Sequence, residues 1–294
     1  MDIIVNFTPT GMIPTKKMTS FVPVTVQEIV DNVLEAAEIG ITMVHLHARD
    51  EQDGEATYKA EVYGKIIGGI RKFNRDLIIC VSLSGRPFTE FEKRADSLKL
   101  EGELKPDMGS LTLSSLNFNR VASVSLPDMI KALAEEMKRR GILPELEAFD
   151  AGMINYAKYL EKIGMLEPPH YFNLILGNIA CAQANLLHAG VMIRDLPPNS
   201  LWSLGGVGDC QMMINSIAIA IGGGVRVGIE DNIWYDPART KLASNADLIR
   251  RIHGLAEANE RKVMTSAELR KLLNLEDGHG RYGRIYKSDD ISRG

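Results

Sequence analysis

A His-x-His pair at positions 45 and 47 carries the strongest chemical signal in the sequence. The pair lies in residues 44–50 (VHLHARD), where the apolar run predicts a β-strand. A spacing of two residues along a strand places both imidazoles on one face of the sheet, where they can hold a single metal ion. The alternative is that His45 and His47 fill the interior of a barrel with satisfied hydrogen bonds.

An acidic pair, Glu230 and Asp231, ends an apolar segment that begins at Val225. In the alternation of a strand, Arg226 and Glu230 share a face, so an arginine and a carboxylate point to the same side. Buried charges cost free energy unless they are paired or coordinated. This leaves two interpretations: a structural ion pair from Arg226 to either acid, or a carboxylate ligand for a metal.

Two histidines and one carboxylate form the three-ligand, open site of a catalytic zinc ion, which leaves coordination positions for substrate oxygens. We therefore predict one Zn²⁺ per subunit, bound by His45, His47 and Glu230. Iron(II) is the alternative ion, because its two-histidine, one-carboxylate sites use the same ligand types.

Two further polar clusters fall near predicted strand ends. Ser82 and Ser84 share a face, and Gly85 after them lets a ligand approach the backbone closely. Glu145 and Glu147 also share a face, and carboxylates inside a barrel need a cation or a ligand as partner. The alternatives are a loop-capping role for the serines and an internal salt-bridge layer for the glutamates.

The elements that must position these residues alternate between short β-branched runs and longer amphipathic segments. Such a pattern demands parallel strands with right-handed crossovers, and it favours a closed (β/α)8 TIM barrel over an open sheet, which would show a Gly-rich turn after its first strand. Active sites of barrels lie at the carboxyl ends of the strands. The predicted strands are residues 3–7, 43–47, 77–82, 109–113, 145–149, 171–176, 201–204 and 225–229.

We expect one α/β domain, residues 1–294, with residues 258–294 as a C-terminal helical extension that packs on a neighbouring subunit. Capping-box patterns at Thr25 and Thr265 predict two helix starts, and Gly40 and Gly141 predict two helix ends.

The composition argues against several classes of protein. The net charge is −4 and long blocks of like charge are lacking, so nucleic acid is not an expected partner. The longest apolar stretch, residues 212–227, contains polar interruptions and falls short of the about 18 residues that a membrane span requires. The three cysteines are predicted to be reduced core residues of a cytoplasmic protein.

Several motifs, in order along the chain, resemble the β-keto acid cleavage enzymes. They are residues 8–11 (TPTG), 14–16 (PTK), 22–25 (VPVT), 44–50 (VHLHARD), 105–108 (KPDM), 144–150 (PELEAFD), 201–203 (LWS) and 224–232 (GVRVGIEDN). The resemblance extends to Ala256. It implies a (β/α)8 barrel, usually a homotetramer, that binds zinc and converts a β-keto acid and acetyl-CoA into acetoacetate and a new acyl-CoA.

The resemblance also implies roles for residues. Asp231 corresponds to the general base, and Arg226 and a serine of the Ser82–Ser84 turn to its orienting partners. The turn reads SLSGR where some members have STGG, so the acting serine stays open. The residues expected to contact substrate are Thr10, Ser110, Glu145, Glu147, Asn232 and Arg86.

The chemistry has a physical rationale of its own. The keto and carboxylate oxygens of a β-keto acid can chelate one metal, which stabilises enolate charge as a Lewis acid. Asp231, beside the metal and Arg226, is expected to stay ionised and to remove the acidic proton between the carbonyl groups.

The charge of the substrate's side chain is less constrained by the sequence. The loop of residues 8–17 contains no acid, which favours a substrate with an uncharged or acidic side chain, unless a buried glutamate meets an ammonium group. Lys16, Lys17 and Arg86 are the candidates for binding a second carboxylate.

Two other functions compete with this interpretation. A metal-dependent amidohydrolase also uses His-x-His in a barrel, but it needs further histidines at strand ends, and none follows the fifth or sixth predicted strand. A catalytically silent barrel that serves as a binding module is the second, and the coincidence of the two histidines with Glu230 and Asp231 argues against it.

Overall fold

Eight parallel strands close into a barrel in the computed structural model, which describes residues 2–284. Neighbouring strands pair in chain order, and the last strand closes on the first with Val5 opposite Val225. The predicted (β/α)8 barrel is confirmed. The strands are β1 (Val5–Phe7), β2 (Met43–Leu46), β3 (Ile78–Val81), β4 (Met108–Thr112), β5 (Leu143–Ala148), β6 (His170–Leu176), β7 (Ser200–Gly206) and β8 (Gly224–Val227).

Helices cover the outside of the barrel and bury one apolar stripe each. Helix α1, for example, buries Ile29, Val30 and Val33, which recur at the spacing of one helix face. The helices are α1 (Val26–Ile39), α2 (Ala60–Arg71), α3 (Phe91–Arg94), α4 (Pro127–Arg140), α5 (Ala151–Lys162), α6 (Leu186–Arg194), α7 (Gln211–Ala220), α8 (Asn245–Ala258) and α9 (Ser266–Leu272). Among residues 2–284, none of them combines the length and apolar character that crossing a membrane requires.

The predicted helix boundaries rest on local capping. Both capping boxes are present, with the side chains of Thr25 and Thr265 each accepting from the backbone N–H three residues later. Gly141 ends α4 in the left-handed region at φ 63°, as predicted. Gly40 follows α1 at φ 120° and donates its N–H to the carbonyl of Ala36.

Two small antiparallel ribbons extend the carboxyl-terminal side of the barrel. Ala48–Arg49 pairs with Ala56–Thr57 after β2, and Leu116–Asn117 pairs with Ala122–Ser123 after β4. These ribbons form parts of the wall around the strand ends.

The amino-terminal end of the barrel is filled by the C-terminal extension. Leu269 and Leu273 of the α9 region and Met264 before it pack against Ile4 and Met43, which point into the barrel. Up to Arg284 the extension therefore packs on its own barrel, and its packing on a neighbouring subunit stays a prediction. Residues 285–294 lie outside the described part of the chain.

A buried ion cluster fixes this closure. Asp107 is fully buried and forms salt bridges with Arg270 at 2.8 Å and with Arg71 at 3.3 Å. Its oxygens also accept the backbone N–H groups of Ile79 and Gly283, at 3.0 and 3.1 Å. One carboxylate thus joins β3, α2, α9 and the end of the described chain.

The expectation about the cysteines holds only in part. Cys80 is buried in β3, but Cys181 and Cys210 are half-buried. Both lie in connections at the carboxyl ends of β6 and β7 rather than in the core, because the apolar segments around them continue into loops.

Replacing Arg270 with methionine should lower the free energy of unfolding by about 3–5 kcal/mol, because it removes the main cation from a buried carboxylate. Urea unfolding followed by circular dichroism measures the change. Arg281→Met is the matched control, since Arg281 pairs with Asp277 in solvent and its loss should leave the unfolding curve in place. Equal curves for the two variants would mean that the Asp107 cluster does not stabilise the closure.

Candidate metal centre and catalytic cavity

A cavity of about 220 Å³ opens at the carboxyl ends of the strands. This is the end of the barrel at which the sequence places the site. Of the predicted site residues, the cavity wall contains His47, Ser82, Ser84, Arg86, Glu147, Arg226, Glu230 and Asp231. Its apolar wall consists of Met12, Ile13, Leu116, Phe118, Phe149, Ile175 and Val207.

The three predicted metal ligands come together at one side of this cavity. His45 Nε2 lies 3.3 Å from His47 Nε2, and His47 Nε2 lies 3.3 Å from an oxygen of Glu230. Ligand atoms bound to one tetrahedral zinc ion at its usual bond lengths are separated by about 3.4 Å. The spacing of these side chains therefore fits a single ion.

Glu230 carries a direct sign of a missing partner. Its Oε1 accepts a hydrogen bond from Arg226 at 2.7 Å, whereas its Oε2 is buried and has no hydrogen-bond partner among the described residues. A buried oxygen left unpaired costs about 1–3 kcal/mol. A cation held between Glu230 and the two histidines would satisfy it.

The charge states of His47 and Glu230 suit a metal as well. Burial lowers the pKa of His47, which favours the neutral imidazole that binds metal. Burial disfavours the anionic form of Glu230, yet Arg226 outweighs that effect and holds its pKa well below the usual range.

Glu145 lies beneath His45 and orients it. Its Oε2 is 2.5 Å from His45 Nδ1, and its Oε1 accepts from Asn6 and Asn173 at 2.6 and 2.7 Å. Burial opposes protonation of His45, but Glu145 outweighs it and raises the pKa of His45 to about 9. A carboxylate behind a ligating histidine fixes the tautomer and strengthens the ligand.

Arg226 joins the metal side of the cavity to the predicted base. Its Nε lies 2.8 Å and its Nη2 3.2 Å from the two oxygens of Asp231, which makes a two-point contact. Burial raises the pKa of Asp231, against the attraction of Arg226. A carboxylate whose pKa is shifted toward neutral pH can both take and return a proton.

The two serines of the turn after β3 differ in their contacts. Ser84 accepts the backbone N–H of Arg86 at 3.3 Å and so closes the turn. The hydroxyl of Ser82 faces the cavity without a hydrogen bond to another residue of the range 2–284. A Cβ on Gly85 would lie 2.2 Å from the carbonyl oxygen of Val124, so only glycine fits there.

Four of the predicted substrate contacts do not reach the cavity wall, and neither does the predicted ligand His45. Glu145 is occupied under His45, and Ser110 is buried with its hydroxyl accepting the N–H of Leu83 at 3.0 Å. Asn232 bonds to both backbone groups of Trp234, which shapes the loop after β8. Thr10 is buried, and its hydroxyl has no partner among the described residues.

Two residues at the site, Thr112 and Arg94, were not predicted from the sequence. Thr112 lines the cavity and donates to Glu147 at 2.7 Å; its position two residues after Ser110 on the same strand would have indicated it. Arg94 is buried and donates to the carbonyl of Leu83 at 2.8 Å, which holds the serine turn in place. An arginine in a short helix offers no comparable pattern.

The remaining histidines do not contribute ligands. His170 begins β6 at the opposite end of the barrel and lies 2.9 Å from Glu161. His253, in α8, donates from Nε2 to the backbone carbonyl of Gly40 at 2.8 Å. The additional histidines that an amidohydrolase needs at its strand ends are thus absent from the described residues.

With this geometry in view, residues 2–275 match the family model described as beta-keto acid cleavage enzyme. The chain belongs to this family. A relative named 3-keto-5-aminohexanoate cleavage enzyme, from Fusobacterium nucleatum, is 35% identical over 89% of this chain and 94% of its own length. A second, named 3-oxoadipate:acetyl-CoA acetyltransferase, from Cupriavidus necator, is 34% identical over 92% of this chain and 94% of its own.

The family assignment agrees with a likeness in fold. The apo structure of ObcA superposes with a TM-score of 0.74 over 86% of this chain at 19% sequence identity. The chain spans 65% of the length of ObcA, so that protein contains additional structure.

Replacing Glu145 with glutamine should weaken zinc binding by about 10–100-fold, because His45 loses the carboxylate that orients it. Competition with a fluorescent zinc chelator measures the affinity. Glu161→Gln is a matched control, since Glu161 makes the same kind of contact with His170 far from the cavity. If both variants bind zinc as tightly as the native protein, Glu145 does not support the metal centre.

Proposed function

We propose that this protein is a zinc-dependent, acyl-CoA-dependent β-keto acid cleavage enzyme, which forms acetoacetate and a new acyl-CoA from a β-keto acid and acetyl-CoA. The single observation that carries the proposal is the unpartnered Oε2 of Glu230 beside two histidines, in the same cavity as Asp231. The family membership supplies the reaction class.

His45, His47 and Glu230 would hold the metal. When bound, zinc supplies a Lewis acid that stabilises negative charge on the substrate's keto and carboxylate oxygens. The His/His/Glu ligand set suits both zinc and iron(II), and zinc is preferred because the proposed reaction includes no redox step.

Asp231 acts as the general base. It takes a proton from the carbon between the two carbonyl groups of the β-keto acid, and the resulting enolate attacks the thioester carbonyl carbon of acetyl-CoA. Arg226 keeps the carboxylate of Asp231 aligned through its two-point contact. Ser82, whose hydroxyl faces the cavity, donates a hydrogen bond to a substrate oxygen.

The remaining steps balance without water or a redox partner. The CoA thiolate leaves the adduct and attacks the original keto carbon. The bond between that carbon and the former enolate carbon then breaks, which releases the new acyl-CoA. The proton held by Asp231 returns to the carbon that has gained the acetyl group, and acetoacetate is complete.

The wider setting follows from the same resemblance. We propose a single-domain subunit in a cytoplasmic homotetramer, with neither nucleic acid nor a membrane as partner. The relatives at 34% and 35% identity are named for different keto acids, so similarity alone does not select the substrate.

Asp231→Asn should retain zinc and lose about 10²–10⁴-fold in kcat, because it removes the base and keeps the shape of the side chain. His47→Ala should lose zinc and turnover together. Acetoacetate formation from acetyl-CoA and a panel of β-keto acids measures the rate, and elemental analysis measures the metal. A zinc-free His47→Ala protein that turns over normally would refute the assignment.

Removal of metal with dipicolinate should abolish acetoacetate formation, and one equivalent of Zn²⁺ per subunit should restore it, since the Lewis acid stabilises every charged stage. Anaerobic addition of Fe²⁺ to the same apoprotein identifies the native ion. Full recovery with Fe²⁺ and none with Zn²⁺ would assign the site to iron.

A further inference from the structure

Arg86 is a cation in the cavity wall that has no ion-pair partner within 4 Å among residues 2–284. Its guanidinium lies over the ring of Phe118, 3.6 Å from the centroid. Its Nε is buried and makes no hydrogen bond, and no carboxylate of residues 2–284 forms an ion pair with it. Arginine stays charged in proteins, so this charge awaits a partner.

The three carboxylates of the cavity wall make their ion pairs with Arg226 rather than with Arg86. Glu230 and Asp231 contact Arg226 at 2.7 and 2.8 Å, and Glu147 faces the same arginine at 3.8 Å. Glu147 also accepts the hydroxyl of Thr112. Arg86 is therefore the arginine of the wall whose guanidinium is left without an ion pair among the described residues, and so is open to an anionic ligand.

The two lysines that the sequence offered as alternatives are placed elsewhere. Lys16 is exposed and pairs with Glu28 at 2.7 Å, beside the start of α1. Lys17 is exposed, and neither lysine lines the cavity. Arg86 alone of the three reaches it.

Apolar side chains surround the approach to Arg86. Leu116, Phe118, Phe149 and Val207 contribute to the same wall. A ligand with a short methylene chain and an anionic end would bury the chain against these apolar residues. Its anionic end would then contact the guanidinium of Arg86. Guanidinium groups bind carboxylates through two parallel hydrogen bonds, and the stacking on Phe118 keeps the plane of the fork fixed.

We propose that Arg86 binds the far end of the substrate, and that the substrate class is a β-keto acid with a second carboxylate at the end of a short apolar chain. This inference rests on the proposed function, because the first carboxylate and the keto group are assigned to the metal side of the cavity. A phosphate of CoA shares the anionic chemistry, and the experiment separates the two sources.

The test uses two six-carbon β-keto acids that differ only at the far end, one with a carboxylate and one with a methyl group. The native enzyme should prefer the diacid in kcat/KM. Arg86→Met should reduce that preference by about 10–100-fold, mainly through KM, since a hydrogen bond to a charged group contributes about 1.5–3 kcal/mol. Arg86→Glu should shift the preference to a β-keto acid that ends in an ammonium group.

Two controls guard against a folding defect. Arg86→Lys keeps the charge and should recover part of the preference, and Lys17→Met removes an exposed charge of the neighbouring loop and should leave the preference intact. Zinc content and melting temperature of each variant report on folding. An equal loss with both keto acids, or a KM for acetyl-CoA that rises with both, would overturn the proposal, the latter in favour of a CoA phosphate.

Calorimetric binding of the diacid without acetyl-CoA separates this inference from the reaction. Binding that depends on Arg86 in a protein that makes no acetoacetate would support the anion site and refute the proposed reaction. Acetoacetate formation together with diacid binding that is indifferent to Arg86→Met would refute the anion site and keep the reaction.

Discussion

The guanidinium of Arg226 is the interaction on which the site depends. Glu147, Glu230 and Asp231 converge on it at 3.8, 2.7 and 2.8 Å in the buried mouth of the barrel. Carboxylates this close would repel one another and take up protons without a cation among them. Arg226 contacts only Oε1 of Glu230, which also lies 3.3 Å from His47 Nε2, and Oε2 is left without a hydrogen-bond partner among the described residues. Gly205 leaves room for the arm, since a Cβ there would lie 3.0 Å from its Cδ.

The barrel was predictable because it follows from periodicity, and so was the proximity of His45, His47 and Glu230; metal binding by these residues stays a prediction. Alternating strand and helix segments specify parallel pairing, and parallel pairing brings all carboxyl ends to one rim. His47 and Glu230, far apart in sequence, are therefore neighbours in space for the same reason that the barrel closes. The roles of Ser82 and Asp231 stay predictions, although both side chains lie in the cavity wall.

Depth inside the barrel was not predictable in the same way. Alternation states which face a side chain occupies, but the stagger between strands decides how far along the axis it lies. Glu145 pairs in register with Ser110, and Glu147 with Thr112. The first pair lies in a lower layer that supports His45, and the second lies one layer higher, in the cavity wall. Glu145 and Ser110 therefore lie on the predicted face but in the layer below the cavity wall, and a substrate contact for them stays a prediction.

The closure of the barrel's other end has a consequence for biosynthesis. Asp107 lies on the entry to β4, and its principal partner, Arg270, is translated more than 150 residues later. When β8 has been synthesised, all eight strands that carry the site residues are present. The helix that covers the amino-terminal end of the barrel, α9, has not yet been made. Until that helix emerges, the carboxylate has only Arg71 as a cation partner, and the apolar interior around Met43 faces solvent. Apolar surface exposed in this way favours aggregation until α9 packs over it.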